Sequence, residues 1–391
     1  MAKFKDSYVS YLMMYLFYYM SFALFSVLIS VYMLDNGYSS VEVSFTMSMS
    51  MIFSLIAQPI IGYFSDLYDQ KKMNMCLLFL AIFLAIGFIF SENLLSLSLF
   101  YSGVLLIING VNPVIEKMAT TSRFRYGSIR VWGTIGYAIG AQISGIIYQY
   151  INPAALFTFF IVTVILCILG LYGTKEREKT GFETTKTVPD NSENGSMKVV
   201  LTNRVFLIYL LIASIFYGVT NVASTYIPPM LVTDGLSVNL STTVIFFATL
   251  MELPVVFFSH KFMSEFSNKI LLLFVFGLIT IQCFTYAFIP NLAIKIMLTL
   301  LCKHVAGMLF IMLNLKIVLT IIHKRFQIIA LSLIATFKNL SSIIFQNIGG
   351  QILNSYSYNQ LFMILFIVIL AGLIIVSFFK VPTNERDNLF E

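Results

Sequence analysis

A handful of ionisable side chains stand inside long apolar runs, and their chemistry is the place to begin. Arg130, Glu252, His304 and Lys338 are the most telling of them. Charged residues at such depth are expensive and face a bundle interior or a watery cavity, so they mark function by default. Glu252, in Thr249-Leu-Met-Glu252-Leu-Pro254, is the one acid expected near the middle of a run, because Glu116 closes its own run at an edge. A carboxylate can bind and release a proton, and His304 is a second candidate for that task. Helical spacing gathers neutral partners: Arg130, Thr134 and Tyr137 share one face, and so do Tyr217, Asn221 and Ser224. Asn109 and Asn112 share another face beside Pro113, as do Lys338 and Ser342, and His304, Gly307 and Asn314. A guanidinium fork, amides, hydroxyls and a tyrosine suit a small polyhydroxyl or carboxylate solute. Solute binding is therefore expected at Arg130, Thr134, Tyr137, Asn112, Asn221, Glu252 and Lys338, and proton coupling at Glu252 or His304.

Such residues need elements that hold them within a membrane, and the sequence supplies these almost end to end. Of 391 residues, 59% are hydrophobic and 11% charged, whereas soluble domains carry about 25% charged residues. A spanning helix needs about 20 mostly apolar residues. Twelve such spans are expected, over 9–33, 42–64, 73–91, 95–116, 128–150, 153–173, 204–232, 240–261, 268–289, 292–321, 327–354 and 358–380. Backbone groups in lipid must be satisfied internally, so these runs read as helices. The fold class is an all-α membrane protein. No cleavable signal is expected, because Met1–Asp6 is short and polar and the run after it is long enough to span.

Charge sets the orientation. Most of the 24 Lys and Arg residues fall in alternate loops, among them Lys71, Lys72, Arg123, Arg125 and Lys269. The positive-inside bias then puts both termini in the cytoplasm, with a bacterial inner membrane as the expected location. The net charge of +6 has no basic face behind it, so nucleic acid is not an expected partner. The longest interruption, 174–203, is polar and charged and reads as a cytoplasmic linker. It separates an N-terminal six-helix bundle, 1–173, from a C-terminal one, 204–391. The expected partners are a small-molecule solute, protons and the bilayer, and the chain is expected to work as a monomer. No P-loop and no metal cluster are visible, and the three histidines are scattered, so no enzyme activity, metal or cofactor is expected. The four cysteines read as small core residues, and the abundant phenylalanines as lipid-facing bulk.

Motifs sharpen the picture. Gly62-Tyr-Phe-Ser-Asp66-Leu-Tyr-Asp-Gln-Lys71-Lys72 follows the second span. It resembles the major facilitator signature loop G-x-x-x-D-R-x-G-R-R, with Leu67 and Asp69 where Arg and Gly are usual. Phe53-Ser-Leu-Ile-Ala-Gln58-Pro59-Ile-Ile-Gly62 is similar to the second helix of the lactose permease group of oligosaccharide:proton symporters. So is Glu116-Lys117 followed by Phe124-Arg-Tyr126-Gly127-Ser-Ile-Arg130-Val-Trp-Gly133, which resembles the group's loop from helix 4 to helix 5. Gly349-Gly350-Gln-Ile-Leu353 with Phe362 resembles the end of helix 11. The resemblance implies two six-helix bundles with a mid-membrane site between them. It implies a sugar-binding role for Arg130, a sugar-binding place one turn from Glu252, and gating contacts that pair Glu116 with Arg325 and bring Lys117 near Asp66. Departures are equally specific. Asn112, Tyr137 and Asn221 replace the group's carboxylate, tryptophan and aspartate, and Lys303-His304 lacks the glutamate that follows the group's histidine.

The expected function is thus a proton-coupled secondary transporter of a small polar organic solute, a sugar or glycoside, working by alternating access in a direction the sequence leaves open. An exporter of sugars or amphipathic drugs is the alternative within the same fold. A solute sensor with a transporter fold and no flux is an alternative of another class.

Overall fold

The computed structural model describes residues 4–175, 200, 202–323 and 326–381. Most of the expected linker lies outside these, as does Arg325. The described residues form helices and no strand. Fourteen helical segments follow one another: α1 (Tyr8–Ser26), α2 (Ile29–Asp35), α3 (Ser40–Leu67), α4 (Gln70–Ile89), α5 (Leu94–Thr120), α6 (Tyr126–Tyr150), α7 (Ala155–Gly173), α8 (Arg204–Thr233), α9 (Val238–Leu250), α10 (Glu252–Glu265), α11 (Asn268–Phe288), α12 (Leu292–Ile321), α13 (Gln327–Ser355) and α14 (Tyr358–Phe378). Taking α1 with α2 and α9 with α10 gives the twelve expected spans. Eleven of them are long and apolar enough to cross a membrane by composition alone. The twelfth, α6, has 25 residues but trades apolar bulk for Arg130, Gln142, Gln149 and four interior glycines.

Local chemistry explains where helices start and break. Ser39 and Glu42 form a reciprocal capping box at the head of α3, and Asp69, Asn93, Ser267 and Asn291 cap α4, α5, α11 and α12. The turn at Met251 divides α9 from α10. Pro254 has no N–H to offer the carbonyl of Leu250, so the ladder fails at that point. Glu252 becomes the first residue of α10, where the helix dipole favours a carboxylate.

The chain falls into two compact units. The first comprises Met1–Glu178 together with Thr225–Leu250 and Gln346–Asn354. Within it α1 packs on α6 and α7, α3 on α5, α4 on α5 and α7, and α6 on α9. Its core is an aromatic cluster: Phe25 lies 5.4 Å from Tyr101 in a stack, 4.8 Å from Phe160, and edge-on to Phe88 and Phe157. At one end Lys71 donates to the carbonyls of Tyr172 and Thr174, both at 2.7 Å, closing the C-terminus of α7. At the opposite end polar contacts tie in the later segments. Tyr226 is bonded to Ser44 at 2.6 Å, Asn347 donates to Ser48 at 2.8 Å, and Gln142 donates to Asn239 at 2.9 Å. Glycine permits a close approach of α6 to the α1 backbone, since a Cβ on Gly136 would sit 2.2 Å from the carbonyl oxygen of Leu16. The small-residue stripe of α6 is a helix-packing seam.

The second unit comprises Lys179–Ser224, Met251–Phe345 and Ser355–Glu391. Here α11 packs on α12 and α14, and α10 on α12. Phe216 stacks on Phe310 at 3.9 Å, with Phe276 beside both.

Two expectations are corrected. The phenylalanines are not all outward bulk: Phe25, Phe88, Phe157, Phe160 and Phe206 are fully buried, while Phe83, Phe257 and Phe378 are exposed. Cys76 is exposed, unlike the other three cysteines. On α4 the buried stripe runs through Asn74, Leu78, Ala81 and Ala85. A residue two places after Asn74 is turned about 200° from that stripe.

Candidate functional site

Each unit carries a carboxylate paired with a basic side chain within its spans. In the first unit a polar cluster centres on Glu116, one turn before the end of α5. Arg130 of α6 is paired to Glu116 Oε1. Tyr19 of α1 donates to the same oxygen at 3.0 Å, and Tyr126 donates to Oε2 at 2.6 Å. Asn112, one helical turn before Glu116, donates to the Tyr19 hydroxyl at 3.3 Å. Tyr15 leans on Tyr19, with ring centroids 5.4 Å apart. The carboxylate thus holds three donors from two other helices. The ion pair is part-exposed, with Arg130 at 38% and Glu116 at 24%. The contact with Glu116 is made through Nη1 of the guanidinium. Thr134 and Tyr137 follow Arg130 at four and seven residues along α6 and are half-buried. Phe22 lies 5.9 Å from the Tyr137 ring.

In the second unit Glu252, opening α10, meets His304 of α12. Oε1 and Nδ1 are 2.8 Å apart. Both side chains are only partly accessible, at 24% and 14%. Lys303 stands next in chain to His304. Further along α12, Asn314 bridges two tyrosines of α8: it accepts from Tyr209 at 2.5 Å and donates to Tyr217 at 2.6 Å. The ammonium of Lys338, on α13, lies 4.9 Å from the centre of the Tyr217 ring. Asn221, one turn beyond Tyr217, is half-buried. Lys316 is buried and donates to the carbonyl of Met263, near the C-terminal end of α10. Among the described residues no three His, Cys, Asp or Glu side chains are grouped so as to hold a metal.

Two carboxylates are paired within the spans, Glu116 with Arg130 and Glu252 with His304, while Lys316 meets a carbonyl and Lys338 a ring face. The model of the Major Facilitator Superfamily matches residues 11–326. The chain belongs to the major facilitator superfamily. It is a multi-pass membrane transporter of small solutes, similar to the sugar permeases of that superfamily. It is 30% identical to the lactose permease of Klebsiella oxytoca over 178 residues, 42% of each chain. That match spans less than half of the permease. A transporter of Bacillus subtilis strain 168, YwbF, is 23% identical over 366 residues, covering 92% of this chain and 90% of its own. A solved structure of a mutant of the nucleoside transporter NupG shares the fold with a TM-score of 0.83 at 10% identity, over 95% of this chain and 99% of that one.

Of the residues singled out in this facilitator's sequence, the structure groups Asn112, Glu116 and Arg130 in one cluster and Glu252 with His304 in another. Glu116 and Arg130 are held to each other. Lys117 is exposed at the end of α5. The side chain of Asp66 and the whole of Arg325 lie outside the described residues, so their expected contacts are not seen. The sequence reading missed Tyr19, Tyr126 and Tyr209. One signal was present, the tyrosine-rich face of α1 at Tyr11, Tyr15, Tyr18 and Tyr19.

Proposed function

We propose that this facilitator is a proton-coupled symporter that imports a small polar organic solute, a sugar or glycoside, by alternating access. It works as a monomer in a bacterial inner membrane, with both termini in the cytoplasm. The moving bodies are the six-helix halves 1–173 and 204–391, joined by the linker 174–203. The observation that carries the reading is the Glu252–His304 contact at 2.8 Å inside the spans. A carboxylate against an imidazole is a proton-binding centre whose occupancy can change between states.

Arg130, Thr134, Tyr137 and Asn112 in the first half, and Asn221, Glu252 and Lys338 in the second, form the solute site. The sugar reading draws support from the lactose permease relative and from hydroxyl and amide groups around a guanidinium. In the gate, Glu116 exchanges Arg130 for Arg325 while Lys117 meets Asp66, so that one carboxylate serves two cations in turn. Proton binding at the Glu252–His304 pair couples occupancy to the change of state.

The test uses the purified full chain in lightly buffered proteoliposomes. A sugar that stabilises the protein in a thermal-shift screen is added outside, and external pH is followed together with uptake. Uptake with external alkalinisation is the expected result. Uptake without a pH change would remove the coupling, and binding without uptake or exchange would make the protein a sensor.

A further inference from the structure

Resting on the reading of this chain as a solute transporter, we infer that its solute carries an anionic oxygen group and that Lys338 is the residue that holds it. Lys338 lies near the middle of the 29-residue α13 and is exposed. The ammonium is seated over the face of Tyr217, 4.9 Å from the ring centre. No carboxylate of the described residues lies within ion-pair distance of it.

Several other charges of these spans are engaged, and Lys303 adjoins the Glu252–His304 pair in the chain. Glu116 compensates Arg130, His304 takes Glu252, and Lys316 is spent on the carbonyl of Met263. Asn221, one turn from Tyr217, is an amide and brings no charge. The Tyr217 ring does not swing freely either, because its hydroxyl accepts from Asn314, whose oxygen accepts from Tyr209. The three groups satisfy one another and leave the ammonium over a fixed aromatic face. A ring face attracts a cation but does not neutralise it. A charge at this depth is retained where it has a use.

An ammonium is a compact point charge with three N–H donors and no planar fork. The chemistry that completes it is an anionic oxygen group, either the carboxylate of a sugar acid or the phosphate of a sugar phosphate. A neutral sugar would leave the cation uncompensated in the loaded carrier.

The experiment measures binding to purified full-length protein with matched neutral and anionic probes: lactose with lactobionate, galactose with galacturonate, and glucose with glucose 6-phosphate. Lactate and benzoate serve as anions that are not sugars. At low salt an anionic member is expected to bind about 10- to 100-fold more tightly than its neutral partner. The carboxylate and phosphate arms separate the two sources of charge. Lys338→Gln should remove that advantage, and Lys338→Arg, which keeps the charge, should retain part of it. Circular dichroism and gel filtration of both variants separate loss of binding from loss of fold. Neutral probes that bind as well as the anions, with a preference unchanged by Lys338→Gln, would overturn the inference and leave sugar transport standing. No binding by any anion at millimolar concentration would also overturn it. Binding of lactate or benzoate that depends on Lys338, with no sugar or sugar acid bound, would keep the inference and sink the sugar reading.

Discussion

Glu116→Gln is the perturbation whose outcome is easiest to work out. The wild-type carboxylate accepts from Arg130, Tyr19 and Tyr126 and supplies the charge that compensates the guanidinium. Breaking a fully buried pair by removing one partner costs about 3–5 kcal/mol, and an exposed pair is worth under about 1 kcal/mol. With side chains 38% and 24% exposed, this pair falls between those limits, and a loss of about 2 kcal/mol is expected. Arg130→Gln leaves Glu116 with two phenolic donors and should cost about 1 kcal/mol, since hydrogen bonds still stabilise the carboxylate. The double variant removes both charges at once. It should cost clearly less than the two single losses added together, with a coupling of about 1 kcal/mol or more. The assay is unfolding in mixed micelles by denaturing detergent, read by circular dichroism on all four proteins. Losses that add within about 0.5 kcal/mol would mean that the two residues do not act as a pair, and would refute the reasoning.

Three further outcomes are expected. Gly136→Val drives a branched side chain into the α1 backbone, where even a Cβ lies 2.2 Å from the carbonyl oxygen of Leu16, so it should lower stability by about 1–3 kcal/mol or prevent insertion, seen as a lost monodisperse peak. Asn314→Ala leaves Tyr209 and Tyr217 without their shared partner and should cost about 1–3 kcal/mol in the same detergent titration, a cost that a neutral thermal-shift profile would contradict. In a background lacking the four native cysteines, Lys72→Cys should react with an impermeant thiol reagent only from the cytoplasmic side and Asp234→Cys only from outside, and the reverse pattern would invert the topology.

Much of the fold was legible because membrane helices announce themselves through unbroken hydropathy. The ends of α12, Leu292 and Ile321, fall where the apolar run begins and stops, since polar loops leave little room for error. The break at Met251 was legible only as a weakness, because Pro254 forbids one backbone bond but does not say whether a helix bends or divides. The individual site residues were legible as outliers in an apolar background, and Glu252 and His304 are in that sense easy to find. Their partners were not. Arg130 meets Glu116 because α5 and α6 converge below the loop between them, and Tyr19 arrives from α1 through a crossing that no sequence spacing encodes. Tyr209 was equally hidden, and Tyr217 was legible on a polar face without its partner: the link appears only when the buried amide of Asn314 is seen between the two tyrosines. Cys76 shows the limit of composition, which cannot tell the packed face of a helix from the face away from it.

Proton coupling through Glu252 is the centre of this account, and one measurement addresses it directly. Wild-type and Glu252→Gln proteins are placed in proteoliposomes with the membrane potential clamped at zero and an inward gradient of about one pH unit, which is worth about 1.4 kcal/mol per proton. A solute found to bind both proteins is supplied outside, and its internal concentration is followed to steady state. The account predicts that the wild type accumulates solute about tenfold, while Glu252→Gln exchanges solute across the membrane but only equalises it. Accumulation by Glu252→Gln at the wild-type level would contradict the account and place the proton elsewhere.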